Sequence, residues 1–386
     1  MRLLLISQDF PPDVGGVQTY AYELARRLTD RCEEVVVIAP ALPGAEAVDA
    51  TLPCEVVRVR ASSSNFGIKV GPSILRLARQ RGFEVAFHVQ WSSALASVLV
   101  RPLGGPRLIF LAAHGRELLL EPLAHRRVLQ TLYNRTRAFI IRHADGFFPV
   151  SHYTSRLLRE YGVPPERISV LHNGTDPAHF HPMDAQDLRD ELGLDHQKVV
   201  LTISRLVPSK GIDTVLRALP QVARHIPDVR YLIGGSGPDR DRLEALTRTL
   251  HLNDRVHFLG PISHEDLRRY YNACDVFVMP SREDRPYVEG FGIAFLEANA
   301  CGKPVVGARS GGIPDAIRDG ETGLLVEPDD EADLASTLLR LLCNPELATQ
   351  LGTNGQRRVL REASWKHVAD QLYETLAARL EKDASP

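Results

Sequence analysis

Cysteine is scarce and poorly placed for a structural role. The 386 residues hold five (Cys32, Cys54, Cys274, Cys301 and Cys343), an odd number, scattered and never in CxxC spacing. Neither a disulfide framework nor a zinc site can be read from that pattern. Long apolar runs are missing as well. The longest uncharged, mostly apolar stretch, 85–100, is too short to cross a bilayer and contains His88, Gln90 and three serines. No basic segment and no small-residue cleavage site precede the first apolar run, so a secretory signal is not expected. Nor is one sign of charge in excess. The 46 Lys+Arg against 48 Asp+Glu leave −2 at pH 7, whereas a general nucleic-acid binder carries a basic surplus. These absences predict a reduced, cytoplasmic protein without a nucleic-acid partner.

What is present is the composition of an ordinary folded chain, 44% hydrophobic and 24% charged. The length exceeds what one core usually organises, so two domains are expected. The near-neutral total also hides an asymmetry. Residues 1–175 hold 21 basic and 15 acidic side chains, and residues 176–386 hold 25 and 33. Within 60–142 there are 13 basic and three acidic residues. Such an excess is either a solvated basic face or a surface that meets anionic lipid or an anionic acceptor.

Short runs rich in Val, Ile, Leu and Phe recur at 3–7, 35–39, 56–60, 85–89, 108–112, 146–150 and 168–171. They recur again at 199–204, 230–234, 256–259, 276–279, 304–308 and 324–326. Continuous apolar runs of this length predict parallel strands covered on both faces. Helical patterns lie between them, for example 19–28, with Tyr20, Leu24 and Leu28 on one side, and 73–79. The alternation, twice over, predicts an α/β fold of two doubly wound domains. The polar, proline-containing stretch NGTDPAHFHP places the boundary near 175–185. The domains expected are 1–178, 179–364 and a C-terminal helix, 365–386, that either caps the second domain or crosses back to the first. Ligands of open α/β sheets bind beyond the C-terminal strand ends, which directs attention to strand-end residues and to a cleft between the domains.

After the first strand, Gly15 and Gly16 open a helix whose backbone N–H groups can receive an anion, although such glycines also serve turns. In the second domain the first strand runs into TISRLVPSKGID, where Arg205 and Lys210 can clamp a diphosphate, one as a planar fork and the other as a point charge. The turn GGSGP at 234–238 follows the next strand. The strongest signal is VEGFGIAFLEANACGKPVV. Glu289 and Glu297 are separated by seven residues, and Gly290–Phe291–Gly292 predicts a helix that starts after Glu289. That leaves Glu289 in a loop, backbone N–H groups at 291–293 facing outward, and Glu297 within the helix. One carboxylate can then accept from sugar hydroxyls and the other from a ribose diol, with the helix start toward a diphosphate.

With these residues in view, the sequence resembles the retaining glycosyltransferases of family 4, through essentially its whole length. The resemblance rests on GGV at 15–17, HGRE at 114–117, SHYT at 151–154, HNGTD at 172–176, SRLVPSKG at 204–211, GSGP at 235–238, the Glu-x7-Glu segment and SGGIPDAI at 310–317. The opening QDFPPDVGGVQTY and the 280–306 block are most similar to the GDP-mannose-dependent phosphatidylinositol mannoside mannosyltransferases. The resemblance implies the GT-B fold, two Rossmann-like domains facing a central cleft. It also implies transfer of a hexose, mannose favoured, from a nucleoside-diphosphate sugar to a glycan or glycolipid hydroxyl. By motif, Arg205 and Lys210 would hold the diphosphate, Glu297 the ribose and Glu289 the transferred sugar. Backbone at Phe291, Gly292 and Ile293, and at Gly235, would line the donor, and Gly16 would meet the distal phosphate. His114, after the strand LIFLAA, would contact the sugar or its leaving phosphate. Residues 282–287 lengthen the approach to Glu289 relative to the shortest family members, and no role carries over to Arg282. No cofactor and no metal is implied, because two cations and backbone dipoles can replace an ion.

Other assignments stay open at this level. They are a UDP- or ADP-sugar donor with a soluble acceptor, a sugar-nucleotide epimerase of the same fold, and a non-catalytic sugar or lipid binder. A nicotinamide oxidoreductase is disfavoured, since no GxGxxG turn follows the first strand. The basic 60–142 segment makes an anionic membrane, met from the cytoplasmic side, a candidate partner.

Overall fold

The computed structural model describes residues 1–62, 65–120 and 127–384. The chain forms two compact units, Met1–Asn173 together with Trp365–Pro386, and Gly174–Ser364. In the first unit β1 (Arg2–Ile6), β2 (Glu34–Pro40), β3 (Glu55–Val59), β4 (Val85–His88), β5 (Leu108–Ala113) and β6 (Gly146–Pro149) make one sheet in the order β3-β2-β1-β4-β5-β6. The second unit repeats the plan. Its strands β7 (Val199–Ile203), β8 (Arg230–Gly234), β9 (Val256–Gly260), β10 (Val276–Met279), β11 (Val305–Ala308) and β12 (Gly323–Val326) run in the order β12-β11-β10-β7-β8-β9.

All pairings within both sheets are parallel. Strands buried from end to end, such as β5 and β10, are apolar at every position because helices cover both faces. Each unit is thus a doubly wound, Rossmann-like α/β domain. The strand order reverses between β1 and β4 in one sheet and between β7 and β10 in the other, and a crevice opens at such a reversal.

Twelve of the thirteen predicted strands form. The exception is 168–171, which makes only the single bridge Phe147↔Ile168. Ser169 and Leu171 donate to the carbonyls of Phe147 and Pro149, at 2.9 Å each. Pro149 has no N–H to return, so the ladder cannot extend. The 85–100 stretch divides into β4 and the helix Ala94–Val100, and among the described residues no helix is long and apolar enough to cross a membrane.

The final helix, Trp365–Ala384, lies with the first unit. Trp365 meets the edge of Tyr20 on the helix Gly16–Leu28, ring centroids 5.9 Å apart, and Arg31 pairs with Asp370 and covers the ring of Tyr373. Each sheet has its own apolar core, with Leu4, Ile6, Val36 and Ile38 in the first and Val200, Tyr231, Val278 and Val306 in the second.

Candidate active site

In the second unit the predicted residues gather beyond β7 and β10, the two strands at the reversal. The loop after β7 carries Arg205, which is exposed, and a short 3-10 turn, Pro208–Lys210, that presents half-buried Lys210. The loop after β10 carries Glu289. The helix Ile293–Ala300 starts directly after it, with Gly292 as its N-terminal cap at φ +96°. No side chain caps this helix and no acid sits in its first turn, so its positive end is available to an anion. A Cβ on Gly292 would lie 3.7 Å from Glu289 Cγ, which places the carboxylate's stem at the helix start.

The sequence assigned Lys210 and Glu289 separate partners, and the structure joins them. Lys210 Nζ donates to Glu289 Oε2 across 79 positions of chain, in a pair that is mostly shielded from solvent. An ammonium has three donors, so Lys210 keeps two for another ligand.

Backbone contacts hold these loops together. Gly211 (φ +69°) comes so close to β10's exit that a Cβ would stand 2.1 Å from the Pro280 carbonyl. Gly235 (φ +123°) lies against the loop of Arg205, where a Cβ would stand 1.9 Å from the Ser204 carbonyl. Gly235 is therefore a spacer for the neighbouring loop as well as a predicted donor contact. Leu206 N–H donates to Ser236, and Asp239 N–H donates to Leu206.

Arg282, to which no role was carried over, ties the lysine turn down. Its backbone N–H donates to Ser209 (2.9 Å), its Nε to Pro208 (3.0 Å), and its guanidinium pairs with Asp213 and Asp329. Asp213 is further held by Arg242, which grips Asp239 with two bonds. The extra residues of this loop close on themselves through mutual Asp284–Tyr287 backbone bonds and leave Arg282 in place. The SGG motif acts in a comparable way. Gly312 N–H donates to the Glu289 carbonyl at 2.8 Å, and Gly311 (φ +54°) would put a Cβ 2.4 Å from it. Its spacing after β11 was visible in the sequence, but its target was not.

Glu297 lies within the helix as predicted, and Tyr271 O–H donates to its Oε2 at 2.7 Å. Burial pushes the Glu297 carboxyl up to about 7, while the Tyr271 bond pulls it the other way. Nothing in the sequence singled out Tyr271, which lies 26 positions earlier on the helix His264–Ala273.

In the first unit Gly16 begins its helix, exposed, with no side-chain cap and no acid in the first turn. His114 follows β5. Its backbone N–H donates to Glu117 Oε1 (2.6 Å), its ring lies edge-on to Tyr20 at 4.9 Å, and its Nε2 sits 3.1 Å from the Val89 carbonyl. A carbonyl only accepts, so Nε2 carries the proton and Nδ1 is left as an acceptor. Burial holds the imidazole below the usual histidine range, against the pull of Glu117, Val89 and Asp9. A neutral ring with Nδ1 open suits a hydroxyl better than a phosphate.

Comparison with known proteins identifies the family. Residues 184–358 match the family "Glycosyl transferases group 1", and residues 14–179 match "Glycosyltransferase Family 4". The chain is 34% identical over 387 residues to a GDP-mannose-dependent alpha-(1-6)-phosphatidylinositol monomannoside mannosyltransferase of Mycolicibacterium smegmatis, covering 98% of this chain and 99% of that one. Among solved structures, sucrose-phosphate synthase from Thermosynechococcus elongatus superposes with a TM-score of 0.79 at 27% identity, covering 98% and 100% of the two chains. Anabaena HepE, solved in complex with UDP, superposes with a TM-score of 0.81 at 23% identity and the same coverage, a likeness of fold. The chain belongs to the group 1/family 4 glycosyltransferases of GT-B fold, and it is a hexosyltransferase.

Proposed function

We propose that the enzyme moves mannose from GDP-mannose to a hydroxyl of an anionic, lipid-linked glycan or glycolipid, with retention at the anomeric carbon. The observation that carries this is the Lys210–Glu289 pair at the start of the helix Ile293–Ala300. It sets a cation for a diphosphate and a carboxylate for a sugar beside one positive helix end. The name of the mycobacterial relative supports the choice of donor and acceptor.

In the proposed reaction the bond between the anomeric carbon and the phosphate oxygen breaks, and its electrons pass to the diphosphate. Lys210, Arg205 and the amides at Gly292 and Ile293 stabilise that growing charge, which is worth most where water is excluded. No metal ion is needed. Glu289 orients the sugar through its hydroxyls, and Glu297 accepts from the ribose diol. His114 Nδ1 accepts from a sugar hydroxyl, and the amide at Gly16 is kept for the nucleotide's distal phosphate. The Gly235 N–H is already donated to the Gly260 carbonyl at 2.7 Å, so Gly235 lines the donor without giving it a hydrogen bond. The acceptor oxygen bonds to the anomeric carbon on the face the phosphate leaves, and its proton passes to the phosphate oxygen.

The first domain would take the acceptor. The exposed stripe Val128, Leu132, Arg135, Phe139 and Arg142 on the helix Arg127–His143, which carries no acid, supports docking on an anionic membrane. Of the basic 60–142 segment, residues 63–64 and 121–126 lie outside those described. The unpaired cysteines support the reducing, cytoplasmic side.

The test is release of nucleoside diphosphate from GDP-, UDP- and ADP-sugars, with and without phosphatidylinositol monomannoside, in the presence and absence of EDTA. Acceptor-dependent, EDTA-insensitive release from GDP-mannose is expected, with an α-linked product by NMR. Faster turnover of UDP- or ADP-glucose, or a β-linked product, would overturn the assignment.

A further inference from the structure

The reversal between β1 and β4 in the first sheet carries a polar cluster that the proposed reaction has not used. Asp9 follows β1, and Gln90 follows β4. Gln90 is almost wholly buried, and its amide can point only one way. Its Oε1 accepts the Gln8 backbone N–H at 3.2 Å and lies 3.4 Å from the Ser7 hydroxyl, so its Nε2 must face Asp9, where it donates to Oδ2 at 2.9 Å. Ser92 donates to Gln8 Oε1 at 2.7 Å, and Ser7 Oγ donates to the Asp9 carbonyl at 2.6 Å, so neighbouring side chain and backbone are fixed too.

Asp9 is half-buried, and Gln90 Nε2 is the only donor that reaches its carboxylate among the described residues. Burial pushes the carboxyl above the usual aspartate range, with Gln90 and His114 pulling against it. A carboxylate drawn part-way out of water with one hydrogen bond destabilises the fold. Nothing in the packing of β1 requires it, since an asparagine of the same shape would meet the same neighbours. A carboxylate oxygen so prepared, at the crevice where open α/β sheets take their ligands, is suited to hydroxyl donors.

We propose that Asp9 receives a hydroxyl of the acceptor, a polyol headgroup, in a subsite floored by Gln90 and flanked by Gln8. This rests on the glycosyl-transfer reading and adds to it the group that recognises the acceptor. An anionic acceptor would present its hydroxyls, not its phosphate, to this carboxylate.

The experiment measures KM for donor and acceptor separately, with GDP-mannose and phosphatidylinositol monomannoside as probes, in wild type, Asp9→Asn and Gln90→Met. A hydrogen bond to a charged group is worth roughly a 10- to 100-fold change in affinity. Asp9→Asn should therefore raise acceptor KM by about that factor and leave donor KM within about twofold. Gln90→Met, which frees the carboxylate without removing it, should raise acceptor KM less, by about three- to tenfold. Unchanged acceptor KM in Asp9→Asn, or a rise in donor KM instead, overturns the inference while the transferase assignment stands. A wild-type protein that releases no GDP with acceptor removes both. If Asp9→Asn melts well below wild type, the Gln90→Met ratio of acceptor to donor KM decides.

Discussion

In the second unit the loops beyond β7, β8, β10 and β11 touch through backbone: Gly211 on Pro280, Gly235 on Ser204, Gly312 on Glu289. In the first unit the loops beyond β1 and β4 are joined by side chains, chiefly Gln90 to Gln8 and Asp9. The charges differ in the same sense. The first unit, with its returning C-terminal helix, holds 24 basic and 19 acidic residues, and the second holds 22 and 29. Two sheets of one topology have thus been finished differently. Glycine-to-carbonyl contacts leave no slack, which suits holding the fixed groups of a nucleotide sugar. Under the proposed reaction, the side-chain bridges and the exposed basic, apolar helix of the first unit would meet a more varied acceptor.

The comparison breaks first if the Lys210–Glu289 pair is dispensable. Lys210→Ala and Glu289→Ala should each lower kcat by on the order of a thousandfold, with melting temperatures within a few degrees of wild type. Near-normal turnover in either variant removes the site. The two kinds of loop are contrasted by Gly235→Ala and Gly162→Ala. Both glycines have positive φ, but a Cβ at 235 meets the Ser204 carbonyl and one at 162 meets nothing within 4 Å. Denaturant titration should show a loss of about 3 kcal/mol for the first and about 1 kcal/mol for the second. Equal losses would mean the close approach carries no weight.

Stability should also depend on pH through Glu297. Its folded-state value of about 7 exceeds the ordinary 4.5, so between those values the folded protein keeps a proton that the unfolded chain releases. The stability this adds is full below about pH 4.5 and is lost as pH rises through 7. Glu297→Gln should gain on wild type by up to about 3 kcal/mol between pH 4.5 and 8, and a pH-independent difference would count against a buried carboxyl. The smallest effect expected is on the first unit's surface. Arg135→Glu with Arg142→Glu should weaken binding to anionic liposomes by at least about tenfold and leave neutral liposomes unaffected. Flotation equal to wild type would leave the stripe without a partner.

Much of the site was legible locally. Arg205, Lys210, Glu289 and Glu297 stand at strand ends or a helix start marked by apolar runs and glycines, and short-range patterns place them. Arg282 and Tyr271 were not legible, because their partners are distant in sequence. Arg282 reaches Asp213 and Asp329, 69 and 47 positions away, and Tyr271 reaches Glu297, 26 away. The 168–171 run forms no strand because apolar content predicts burial, whereas a ladder also requires an N–H that Pro149 lacks.

The order of residues by itself determined two α/β halves, the parallel character of their strands, the helix that begins after Glu289, and the charge asymmetry. Each follows from periodicity, turn chemistry or counting, which act over a few residues. Only the tertiary structure decided that Lys210 pairs with Glu289, that Gly312 holds the carbonyl beside it, and that Gln90 holds Asp9. These meetings depend on strand order. β7 and β11 lie on either side of β10, and β1 lies beside β4, so groups remote in sequence become neighbours only through those strand pairings.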